Sequence, residues 1–155
     1  PTSFEKFTPA CHTAQLSDCS KDEIVNGYDN SILFTDHVLA GVIDVLKQHD
    51  ELATAMIYMS DHGESLGENG IYLHGAPYFI APKEQTSIPM VAWFSEPYKA
   101  AMKLDVDCLR AEAAKAFSHD NLFATVLGMM DVESSVYRPE ADAFAACRGR
   151  AVSVL

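Results

Sequence analysis

Between Ser60 and Gly75 the chain reads Ser-Asp-His-Gly-Glu-Ser-Leu-Gly-Glu-Asn-Gly-Ile-Tyr-Leu-His-Gly. Asp61, His62 and Glu64 fall within four consecutive positions, and His74 follows twelve residues after His62. Carboxylate oxygens and imidazole nitrogens are donors that hold zinc at neutral pH. On a regular strand Asp61 and His62 would point to opposite faces, so both reach one ion only if the backbone turns there. Gly63 permits such a turn. Glu64 is placed to accept a hydrogen bond from a ligand histidine and fix its tautomer. His74 is a further candidate, reaching back across the glycine-rich loop. Two ligands are too few for zinc, which takes three or four from protein. An Asp-His pair in a loop is also a common hydrogen-bonded turn, and His74 alone could cap a loop; these plainer readings stand beside the metal reading.

A divalent cation at such a site polarises phosphoryl oxygens and lowers the pKa of a bound nucleophile, so phosphate esters are the natural substrates. Ser60 and Ser65 flank the motif, yet neither has a nucleophile-elbow context or a base at a patterned distance. The nucleophile is therefore expected outside this chain. His37 and His49 read as surface residues of a long helix, His119 as a residue opening a helix, and His12 has no obvious partner.

The motif needs a strand to carry it. Thr54 to Met59 is a short apolar run of the buried parallel type, and a loop leaving the carboxyl end of such a strand is where α/β proteins place chemistry. Upstream, Ser20 with Glu23 forms a capping box, which predicts a helix over Lys21 to His49. Its apolar positions Ile24, Val25, Tyr28, Ile32, Val38, Leu39, Val42, Ile43, Val45 and Leu46 recur at helical spacing and predict one buried face. The segment Ser60 to Thr86 is long for a connection, which favours a functional loop. A second strand is expected over Ser87 to Phe94, with Pro89 near its start. Pro97 then breaks the pattern. A short helix is expected over Leu109 to Phe117, and another, capped by Ser118, over His119 to Met130 with the face Leu122, Phe123, Val126, Leu127 and Met130. The tail from Glu133 to Leu155 is polar, with a weak helical patch at Ala141 to Cys147.

The sequence has 155 residues, 48% of them hydrophobic, which fits one globular domain. A formal net charge of −11 repels phosphate backbones and argues against nucleic-acid binding. Neither a signal peptide nor a bilayer-length apolar run is visible. The chain starts at Pro1, which reads as a processed chain or a part of something longer. Cys11 and Cys19 flank a short polar loop that suits a local disulfide, and Cys108 and Cys147 would then pair. Four cysteines allow three connectivities, and four reduced thiols remain the competing reading.

The segment from Ser60 to Gly70, with Tyr72-Leu73-His74-Gly75, resembles the lipid A phosphoethanolamine transferases, among them the colistin-resistance enzymes of Gram-negative bacteria, within the alkaline phosphatase and sulfatase superfamily. Phe7-Thr8-Pro9, Cys11, Cys19, Tyr28-Asp29-Asn30, Ala81-Pro82-Lys83-Glu84-Gln85 and His119-Asp120-Asn121-Leu122-Phe123 add to it in order. The resemblance covers essentially the whole chain. It implies an α/β fold with a mostly parallel sheet flanked by helices, incomplete in this chain. It implies that residues 1–155 are the C-terminal half of a soluble catalytic domain, 1–19 a disulfide-bearing arm and 20–155 part of the α/β core. The domain would lie at the periplasmic face of the inner membrane, held there by a missing N-terminal part of the same protein.

The implied reaction transfers phosphoethanolamine from phosphatidylethanolamine to a lipid A phosphate. A zinc-bound threonine, absent from this chain, would attack first and carry the group. Asp61 and His62 match the paired zinc ligands, His74 a histidine on substrate phosphate or a second zinc, and Glu64 an acidic residue supporting the site. Cys11–Cys19 matches a family disulfide, and Cys108–Cys147 is the less secure pair. Because the nucleophile and further ligands would lie upstream, the chain alone is expected to be inactive. A phosphoglycerol transferase, a phosphodiesterase and a non-catalytic fragment are the alternatives.

Overall fold

The longest helix starts where the sequence predicts, for a local reason. Helix α1 (Lys21–Lys47) begins after Ser20, whose backbone is extended and whose hydroxyl accepts the Glu23 amide. The Glu23 carboxylate in return accepts the Ser20 amide at 2.7 Å and hydroxyl at 2.8 Å. This box satisfies donors that the first helical turn leaves open. The Ser20 amide first, and then its hydroxyl, hold the Glu23 carboxyl below its ordinary value. A depressed folded pKa adds stability above the unfolded value and loses it as pH falls through the folded one. Melts from about pH 7 to about pH 3 should therefore show the wild type losing more stability on acidification than Glu23→Gln. Parallel profiles would refute this.

The computed structural model describes residues 1–149, so the end of the expected tail and core, 150–155, lies outside the described residues. The described residues form two compact units, one of 1–48 with 56–93 and the other of 49–55 with the residues from 94 onward.

In the first unit, the arm ahead of α1 is tied to that helix. Asn30 Oδ1 accepts the amides of Lys6 at 2.7 Å and Phe7 at 2.9 Å, and Asn26 Nδ2 donates to the Pro9 carbonyl at 2.8 Å. A Cys11–Cys19 disulfide closes the arm's loop. The expected buried stripe of α1 is corrected: Ile24 alone is buried, while Ile32, Val38, Val42 and Val45 are exposed. The principal neighbours of α1 are the turn Thr2–Phe4 and the β-segment Ser65–Leu66, too small to cover 27 helical residues.

Strand β1 (Ala55–Met59) is followed by structure where a long loop was expected. It comprises β2 (Ser65–Leu66), a 3₁₀ turn at Glu68–Gly70, β3 (Tyr72–Leu73) and the short helix α2 (Lys83–Thr86). Strand β4 (Met90–Phe94) then pairs with β1. It starts three residues later than expected, just past Pro89, which has no N–H for the ladder. The α/β expectation holds as a mixed helix–sheet fold. The described sheets are two-stranded, β1–β4 and an antiparallel β2–β3 hairpin that the expected parallel sheet did not include.

In the second unit Pro97 does not break the chain. It sits in the first turn of α3 (Glu96–Ala101), where its missing N–H would have no helical partner anyway. Ser95 caps that helix through the Tyr98 amide. Helix α4 is Val106–Glu112, not Leu109 to Phe117, because Asp105 caps it by accepting the Cys108 amide at 2.9 Å. Helix α5 (Asp120–Met129) starts one residue late, yet Ser118 still serves it: its hydroxyl accepts the Asp120 amide at 3.2 Å, and Asn121 Oδ1 accepts the Ser118 amide at 2.9 Å.

The buried face of α5 is a second correction. Ala124, Thr125 and Gly128 are buried, whereas Phe123 and Met130 are exposed. The small residues admit the polar tail: Asn121 Nδ2 donates to the Ala141 carbonyl, and Thr125 Oγ1 accepts the Ala143 amide, both at 2.9 Å. The expected helical patch in that tail appears as two 3₁₀ turns, Pro139–Ala141 and Ala145–Cys147, and a Cys108–Cys147 disulfide fastens it to α4. Tyr98, Met102, Ala124, Ala143, Phe144 and Cys147 form this unit's core, with Phe94 stacked on Tyr98.

Candidate metal centre

The turn after β1 is built by its own side chains. The Ser60 hydroxyl donates to the His62 carbonyl at 2.7 Å, and Asp61 Oδ1 accepts the His62 amide at 3.1 Å. Asp61 Oδ2 consequently lies 3.9 Å from His62 Nε2. Two side chains that a straight strand would send to opposite faces share one side of a turn. Gly63 is needed for a different reason from the one expected. Its φ is not among the positive values. Instead, a Cβ there would lie 1.9 Å from the Glu84 carbonyl oxygen, and the Gly63 amide donates to the Gln85 carbonyl at 3.0 Å.

The hairpin explains why Glu64 meets His74. Ser65 pairs with Leu73 and Leu66 with Tyr72. Continued by one step, this antiparallel register sets Glu64 opposite His74, close enough for a direct side-chain contact. His74 Nδ1 is 3.0 Å from Glu64 Oε2. Leu73, with φ 62°, supplies the bend between strand and histidine. A left-handed leucine costs about 1–2 kcal/mol, and such strain clusters at functional sites.

The ring nitrogens of both histidines are sorted by their partners. A carbonyl can only accept, so His62 Nδ1, 2.9 Å from the Gly63 carbonyl, carries the proton. By the same reasoning the Glu64 carboxylate fixes the proton on His74 Nδ1. In the neutral rings each Nε2 then presents a lone pair. The rings lie face to face with centroids 3.9 Å apart and a 30° tilt.

His62, Glu64 and His74 offer potential ligand atoms all within 4.8 Å of one another, a possible metal site. Asp61 stands at its edge, its side chain 90% exposed against 21% for Glu64. Asp61 Oδ2, 3.9 Å from His62 Nε2, stands beside that three-residue group as a further carboxylate donor. The chemistry of these donors fits zinc. Metal–ligand bonds of about 2.0–2.2 Å place tetrahedral donors roughly 3.3–3.6 Å apart, near the Asp61–His62 separation.

Neither flanking serine is placed as an open nucleophile. Ser65 is buried and accepts from Gln85 Nε2 at 3.0 Å, and the Ser60 hydroxyl is directed to the His62 carbonyl. His12, without an obvious partner in the sequence, lies 2.8 Å from Glu5 Oε1. His37 packs against the Phe4 ring. Gln85 is the residue whose part in the site sequence reasoning missed; its place in the Ala81–Gln85 motif was the available signal.

The sulfatase model matches residues 1–132, and the chain belongs to this family. Within it, the chain is similar to phosphoethanolamine transferase EptA of Escherichia coli K12, 46% identical over 150 residues, covering 96% of this chain and 27% of that protein. The soluble domain of lipooligosaccharide phosphoethanolamine transferase A from Neisseria meningitidis superposes with a TM-score of 0.92 at 48% identity, over 96% of this chain and 45% of that one. The C-terminal periplasmic domain of phosphoethanolamine transferase EptC from Campylobacter jejuni gives a TM-score of 0.84 at 44% identity, over 93% and 45%. The chain thus spans about a quarter of the length of curated relatives such as EptA.

Proposed function

We propose that this chain forms part of a zinc-dependent phosphoethanolamine transferase that moves phosphoethanolamine from phosphatidylethanolamine, with diacylglycerol as the leaving group, to a lipid A phosphate and so confers polymyxin and colistin resistance. The observation that carries the reading is the convergence of Asp61 Oδ2 and His62 Nε2 to 3.9 Å, beside a His74 backed by Glu64. In this proposal Asp61 and His62 hold zinc, His74 binds substrate phosphate or a second zinc, and Glu64 orients His74. Bound zinc supplies positive charge that stabilises phosphoryl oxygens. The threonine nucleophile, further ligands and the membrane-anchoring region belong to the portion of the relatives that this chain does not match, so the chain alone is inactive. The work is done at the periplasmic face of the inner membrane. No helix among the described residues is long and apolar enough to cross a membrane.

The test is the mass of lipid A from cells expressing the complete gene. A gain matching phosphoethanolamine is expected, and its loss with Asp61→Ala, His62→Ala. Unmodified lipid A from the wild-type gene would overturn the reading. Glu64→Gln is expected to lower zinc affinity about 10–100-fold, as the loss of a ligand-orienting carboxylate does. Chelator competition on the purified complete protein measures it, and unchanged affinity would remove Glu64 from the site.

A further inference from the structure

We infer that Gln85 is a positioning residue for this centre, a clamp that sets the spacing between the His62–Glu64 turn and His74. The inference deepens the proposed phosphoryl-transfer reading and rests on it for what the spacing serves. Gln85 is 7% exposed. Its Nε2 donates to Ser65 Oγ at 3.0 Å, its Oε1 accepts the Ala76 amide at 3.2 Å, and its carbonyl accepts the Gly63 amide at 3.0 Å. One residue thus grips the backbone just after His62, the side chain just after Glu64, and the backbone two positions past His74. Helix α2 fixes the clamp itself, with the Gln85 amide donating to the Pro82 carbonyl at 3.0 Å.

The site needs an external hold. Strands β2 and β3 pair over only two residues each, and so short a hairpin is not self-supporting. Leu73 is held in the left-handed region, from which it would relax if the chain beyond His74 came loose. The Ala76 bond lies beyond both and closes the far side. A ligand constellation tolerates about half an ångström of play, which its supporting shell must enforce.

The test uses the full chain. Gln85→Met keeps length and bulk and drops both side-chain bonds. It is expected to abolish the NOE between the His62 and His74 rings and to weaken zinc binding about tenfold, read by chelator competition. Thr125→Val, which removes the bond to Ala143 in the other unit, is the control; at a matched fall in melting temperature it should leave both readouts unchanged. Gln85→Glu, whose carboxylate can accept from both Ala76 N–H and Ser65 O–H, should restore the ring NOE. If Gln85→Met keeps the NOE, or the Thr125 control loses it equally, the clamp is wrong. If the wild type binds no zinc but only Gln85→Met loses the NOE, the zinc reading fails and the clamp stands. Should Gln85→Met not fold, Ser65→Ala, which deletes one arm, is judged by the same NOE.

Discussion

On the proposed function, Gly63→Ala in the complete protein is expected to weaken zinc binding and to lower lipid A modification by about 100-fold, the scale on which a 1 Å displacement acts on a reaction. The new Cβ would sit 1.9 Å from the Glu84 carbonyl oxygen, 2.9 Å from its carbon and 3.3 Å from the Gln85 carbonyl carbon. All three obstacles are backbone, so no side-chain rotation relieves them. Either the turn bearing Asp61, His62 and Glu64 recoils or α2 does, by more than an ångström to restore ordinary contact at about 3.5 Å. The 3.0 Å bond from the Gly63 amide to the Gln85 carbonyl breaks in both cases. The stability loss is smaller, about 1–3 kcal/mol as for other overpacked sites. The diagnostic result is therefore a large functional loss in a protein that still melts cooperatively. Wild-type zinc affinity in the alanine variant would mean that the turn is not held against α2.

How far the sequence disclosed this centre depends on the kind of signal each residue leaves. Asp61, His62, Glu64 and His74 stood out by chemical type and proximity. That Glu64 would accept from a ligand histidine was legible from its chemistry; that the histidine is His74 was not, because the hairpin joining them has two-residue strands, too short for an alternating pattern. The glycine-rich stretch was visible as a loop, but not its register. Gly63 was noticed for backbone freedom, whereas the structure uses its lack of a Cβ against Glu84; close approach from a residue twenty-one positions on leaves no local mark. Capping was legible at Ser20 because both halves of the box lie three residues apart. Pro97 was misread because proline ends a helix and also begins one, and the cap at Ser95 decides between them. The faces of α1 and α5 show the limit of periodicity. Helical spacing groups the apolar residues, but burial depends on what arrives to cover them, and on α5 a polar tail covers the small residues instead.

That tail supports the second large effect, on stability: Asp142→Ala is expected to cost about 3–5 kcal/mol, the scale for breaking a buried ion pair from one side. The Asp142 side chain has no exposure. Its Oδ2 accepts from Tyr137 Oη at 2.7 Å and from Arg148 Nη2 at 2.5 Å, and its Oδ1 accepts the Phe144 amide at 2.9 Å. Burial first, and then the bond to Asp142, push the Tyr137 hydroxyl above its ordinary pKa, so it stays a neutral donor. Gly128 makes room for the cluster, since a Cβ there would lie 2.1 Å from both Asp142 Oδ2 and Arg148 Nη2. Alanine at 142 strands the Arg148 guanidinium, 11% exposed, with its charge uncompensated. Against a domain stability of about 5–15 kcal/mol, this loss approaches unfolding. Urea titration measures it, and a loss below about 1 kcal/mol would show that water reaches the arginine. Adding Arg148→Met to Asp142→Ala should recover part of the loss, because an apolar pair of similar volume removes the stranded charge. If the double variant is less stable than Asp142→Ala alone, the penalty comes from lost packing and not from the buried charge.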